Sequence, residues 1–145
     1  MRSADGHLEL QLPAGWRSPG STFSRQNYAL GPSGEEWATV KSSNKQDYRD
    51  LRSYDAGWQR LMHDWLGSAP STSSERVLVG GHPGPRWEIV GTSPDGVRVG
   101  YVMTSVETET RFGEVFAWTT RSHFPERKGA LADIANRLRE PAASR

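Results

Sequence analysis

The strands in the middle of this chain are apolar on both sides, and only two helices follow from the pattern to cover them. Side chains alternate across a strand, so odd and even positions sort onto two faces. One face collects Trp87, Ile89, Val97, Val99, Tyr101, Met103, Phe112, Phe116 and Trp118, joined by Trp37 from an earlier strand. The other holds Ala38, Val40, Val90, Val102, Val106, Val115 and Ala117, all smaller. A sheet of this kind must be covered on both sides or leave one open. One helix per face turns every ring into core. Both helices on one side leave an aromatic binding surface, and an exposed patch of roughly several hundred Å² marks an interaction site.

The elements follow from periodicity and turn chemistry. Leu8, Leu10 and Leu12 alternate with polar residues as a short strand that Pro13 stops. Residues 23–30 and 35–42 form a hairpin around Gly31-Pro32-Ser33-Gly34. A helix over residues 47–66 carries Leu51, Tyr54, Trp58, Leu61, Met62 and Trp65 at spacings of three and four. Arg49, Asp50, Arg52, Asp55, Gln59 and Arg60 occupy its polar side, and Gly67 and Pro70 end it. The Ser-rich stretch 67–74 reads as a surface loop. Four strands follow, over residues 75–80, 86–92, 97–106 and 112–121, with a turn at Ser93-Pro94-Asp95-Gly96. A helix over residues 125–140 closes the chain, with Leu131, Ile134 and Leu138 on one stripe and residues 141–145 as a frayed tail. The expected fold is α+β: one domain over residues 1–145, with an antiparallel sheet of about six strands and two helices.

Composition removes several function classes. Without cysteine there is no thiol catalysis, thiolate zinc site or disulfide. A net charge of +1 without a basic run gives no general attraction to nucleic acid. No apolar run approaches a membrane span. The compartment stays open: cytoplasmic for a complete chain, extracytoplasmic for a mature domain of an exported parent.

Reactive groups are scattered. His7, His63, His82 and His123 lie far apart, and His63-Asp64 on the long helix point about 100° apart. Glu35-Glu36 and Glu107-x-Glu109 sit at turns, facing water, rather than in the buried setting that raises a catalytic carboxyl. No Gly-x-Ser-x-Gly elbow and no phosphate-cradling glycine loop is present. No catalytic residue, metal ligand or cofactor follows from these residues. Arg86, Arg98, Arg111 and Arg121 read as solvated strand edges, with an anion or an acidic partner as the alternative.

Three segments carry a family resemblance. Leu10-Gln11-Leu12-Pro13-Ala14-Gly15-Trp16 resembles the opening strand and Leu-Pro-x-Gly-Trp of PsbP-like and DcrB-like domains. Gly81-His82-Pro83-Gly84-Pro85-Arg86-Trp87-Glu88 is similar to their entry into the central hairpin, as is a last strand ending near Trp118 before a short helix. The resemblance implies an antiparallel sheet with packed helices and mostly non-enzymatic roles. These include accessory subunits, envelope lipoproteins, extracytoplasmic domains of receptor kinases and chaperones of type VI secretion effectors.

The expected function is therefore a non-catalytic binding or accessory domain for a protein or peptide partner, met through Trp37, Trp87, Tyr101 and Trp118. A chaperone for hydrophobic effector helices would use the same face. A small hydrolase built on His63 or His123 is the alternative from another class.

Overall fold

In the computed structural model residues 1–18, 28–67 and 71–142 are described. The elements run β1 (Glu9–Leu10), β2 (Ala29–Leu30), β3 (Glu36–Asn44), α1 (Leu51–Trp65), β4 (Ser71–Val79), β5 (His82–Thr92), β6 (Arg98–Glu107), β7 (Arg111–Thr120), α2 (Phe124–Ala135) and β8 (Leu138–Arg139). Six strands form one antiparallel sheet in the order β2-β3-β7-β6-β5-β4, and β1 pairs with β8 in a small separate ribbon. This is the α+β architecture of two helices on an antiparallel sheet.

The helices take opposite faces. On one, α2 lays Phe124, Leu131, Ile134 and Ala135 against Val102, Val115, Ala117 and Ala38. The small residues of this face allow a close approach, closest at Gly100, where an added Cβ would meet the Phe124 ring at 2.3 Å. Gly100→Ala should therefore destabilise the fold by about 1–3 kcal/mol through displacement of Phe124. A urea midpoint equal to that of the parent protein would refute this close packing. On the other face, α1 lays Met62 and Leu66 over Ile89, Val99, Met103 and Phe116. Tyr54 stacks on Phe112 with ring centres 5.4 Å apart, and Trp58 meets Phe116 edge-on at 5.1 Å.

Several boundaries differ from the sequence reading for local reasons. The long helix begins at Leu51, not near 47, because Asp50 caps it by accepting the Ser53 N–H at 2.8 Å. That contact holds the Asp50 carboxyl below its ordinary range. A 3-10 turn, Lys45–Asp47, fills the gap. Gly67 ends the helix with φ +72°, open to glycine at little cost. The second helix stops at Ala135 because Leu138 leaves the helical stripe to pair with Leu10 in the terminal ribbon. Within the supposed serine loop, Ser71 to Ser74 are instead the first part of β4, paired to β5. The parts of the expected hairpin, loop and tail at residues 23–27, 68–70 and 143–145 lie outside the described residues.

Candidate functional site

One helix covers a width of about 10 Å, whereas six strands spread over roughly 25 Å. A single helix on the aromatic face therefore leaves a flank open on each side. α1 rests over the centre, and the two flanks differ in chemistry.

Toward β3, the cross-strand register places Trp37, Trp118 and Tyr101 side by side in one row. Trp118 stacks on Trp37 at 6.2 Å and on Tyr101 at 5.2 Å, with Tyr28 edge-on at 5.9 Å. All three residues of the row are half-buried. Trp65 and Leu61 project from the adjoining helix, 51% and 59% exposed. Both belong to the apolar stripe of α1 and stand at its edge toward the open flank. Beside Trp65 and Met62 lies a shallow cleft of about 190 Å³ floored by Phe116 and Trp118. Burial pushes the Tyr101 hydroxyl up to about 12, with a hydrogen bond to Trp65 pulling the other way.

Toward β4, Trp87 and Ile89 floor a second cleft of about 320 Å³, rimmed by Gln59, Arg60, His63 and Asp64 of α1. Of the four residues expected to meet a partner, Trp37, Tyr101 and Trp118 thus lie together, and Trp87 stands apart on the far side of α1. His63 lies at the rim of the second cleft, whereas His123 sits at the start of α2 with Nε2 2.8 Å from Glu35. The two histidines do not meet.

Beneath α1 lies a polar cluster absent from the sequence reading. Asp55, placed there on the polar side of the helix, is 5% exposed and points at the sheet. It accepts hydrogen bonds from Ser105 Oγ at 2.6 Å, from Trp87 Nε1 at 3.2 Å and from Gln59. Ser105 Oγ also lies 2.5 Å from Glu114 Oε2, and Glu114 is fully buried. One hydroxyl hydrogen cannot serve two acceptors. The chain closes when Glu114 keeps its proton and donates it to Ser105 Oγ, while Ser105 donates to Asp55. Burial pushes the Glu114 carboxyl well above its ordinary value, the Ser105 contact pulls it back, and Asp55 adds to the rise. Glu114 Oε1 has no hydrogen-bond partner. Alternation alone could have flagged Glu114, since it falls on the aromatic face between Phe112 and Phe116.

Arg86, expected at a solvated edge, is buried as well. It is 7% exposed, and donates from Nε to Thr104 at 3.0 Å and from Nη2 to Asn136 at 2.7 Å. It ties the end of α2 to the sheet. Among the described residues no group of three or more His, Asp or Glu is placed to hold a metal, and no helix is long and apolar enough to cross a membrane.

A six-stranded antiparallel sheet with one helix on each face and a terminal ribbon defines a PsbP-like fold. Solved structures share it across nearly the whole chain. The cyanobacterial PsbP protein of Synechocystis sp. PCC 6803 is similar with a TM-score of 0.66 and 12% identity, covering 97% of this chain and 91% of that one. LpqN of Mycobacterium tuberculosis, involved in cell envelope biogenesis, gives 0.61 and 12%, covering 97% and 89%. A protein of unknown function from Pseudomonas aeruginosa gives 0.58 and 15%, covering 95% and 100%. No family model and no curated protein matches the chain by sequence.

Proposed function

We propose that this protein is a non-catalytic binding or accessory domain that engages a protein or peptide partner across the aromatic shelf of Trp37, Tyr101 and Trp118. The observation that carries the reading is the row of three stacked, half-buried rings beside the exposed Trp65 and Leu61. Rings are rigid and bury a large area at small entropic cost, which makes them frequent centres of binding energy. The shelf is open and shallow, so it suits a protein segment better than an enclosed small molecule. Trp87 serves a different role here, with its Nε1 committed to Asp55.

The test is site-directed photo-crosslinking in the native cell. A photoreactive phenylalanine at position 61 or 65 should capture one and the same polypeptide, and position 126 on the exposed surface of α2 should capture none. Trp118→Ser should weaken capture by about tenfold or more, the loss expected for a ring at the centre of an interface. Equal yields from positions 65 and 126, or undiminished capture in folded Trp118→Ser, would overturn the reading.

A further inference from the structure

The main sheet has unequal edges. β2 is two residues long, whereas β4 presents nine, Ser71–Val79. Among the described residues nothing pairs with the outer side of β4. A free edge offers alternating N–H and C=O groups, and another strand satisfies both together. Sheets blunt such edges with proline, lysine or a bulge. β4 has no proline or lysine, its charges are confined to Glu75 and Arg76, and its register with β5 is unbroken from Ser71↔Val90 to Val79↔His82.

We propose that β4 binds an extended segment of a partner protein as an added strand. An apolar side chain of that segment enters the cleft beside α1, and an acidic side chain two residues away faces Arg76. This surface is separate from the aromatic shelf, and either can fail without the other.

The side chains on the α1 side of β4 support this choice. Thr72 and Ser74 stand opposite Ile89 and Trp87 in β5, the floor of the 320 Å³ cleft. Nothing larger than threonine separates the open edge from that floor. Arg76 follows on the same side, exposed, and at the cleft rim Arg60 balances Asp64, which leaves Arg76 as the net charge along this side. This side therefore favours an acidic neighbour for the apolar residue. A second copy of the chain is the competing occupant, and charge disfavours it. Antiparallel self-pairing of all nine residues sets Glu75 directly opposite Glu75, and a two-residue slide toward Leu78 sets Arg76 opposite Arg76. Like charges directly opposed destabilise a ladder.

The experiment uses a short synthetic threonine peptide carrying one leucine and, two positions on, one glutamate. Amide hydrogen exchange and chemical shifts of the full chain are followed during titration. Alternate amides of β4 should gain about tenfold protection, as expected when a strand is added, with α2 unchanged. Arg76→Glu should weaken binding by about tenfold and restore it toward a peptide with lysine in place of glutamate. Shifts confined to the Trp118 shelf, or an unchanged β4 at saturation of the titration, overturn the proposal. Protection of β4 that grows with protein concentration and needs no peptide also overturns it and assigns the edge to a second copy.

Discussion

Glu114→Gln will stabilise this protein at neutral pH and flatten its stability profile above pH 4.5. The folded chain holds the Glu114 proton because burial penalises the carboxylate, whereas the unfolded chain releases it above its ordinary value of 4.5. In that window the native state binds more protons than the unfolded state, so stability falls as pH rises. The decline continues until the folded carboxyl itself ionises, at up to roughly a tenfold loss in folding constant per pH unit. Below 4.5 both states are protonated and this site contributes no slope. Glutamine keeps the shape and a donor for Ser105 Oγ but has no proton to lose. Urea unfolding at about pH 5 and about pH 8 reads the effect directly: the parent should lose stability between the two relative to the variant. Parallel curves would mean that Glu114 does not hold its proton in the folded chain.

Asp55→Ala carries the opposite sign. It leaves Trp87 Nε1, Ser105 Oγ and Gln59 without their common acceptor under α1. Stranding buried donors costs about 1–3 kcal/mol each, and part is recovered when Ser105 turns to Glu114, so a loss of about 2–4 kcal/mol is expected. The unfolding midpoint and the fluorescence of Trp87 report it together. Because Asp55 and Glu114 share one hydroxyl, the two substitutions combined should not add. A loss below about 0.5 kcal/mol, or strict additivity, would dismiss the shared hydrogen-bond chain.

Strand alternation made the sheet and its two apolar faces legible and set Trp37 on the face of Trp118, but the pairing of β3 with β7 that puts the two rings opposite each other came only with the structure. Turn chemistry placed the hairpin at residues 93–96, where Ser93 Oγ accepts the Val97 N–H and Gly96 N–H reaches Ser93 O. One helix per face was also among the arrangements open from pattern alone. Burial of polar groups was legible by alternation for Glu114, but the partners that make it tolerable were not. Asp55 shares a face of α1 with Trp58 and Met62, and its partner Ser105 lies fifty residues away in sequence. Arg86 hides for the same reason, since Asn136 lies fifty residues away in sequence. The rings were named correctly as a face, but not their division: the width of one helix against six strands separates Trp87 from the other three.

The order of pairing also governs how this chain is made. β3 is synthesised early, yet its main neighbour is β7, the last strand of the main sheet, and β1 finds its mate only in β8 near the far end. During translation the first third of the chain emerges with no partner for its apolar face, while the β4 to β7 meander can zip up locally as it leaves the ribosome. The late meander can therefore serve as the template on which the early segments, with Trp16 and Trp37, close.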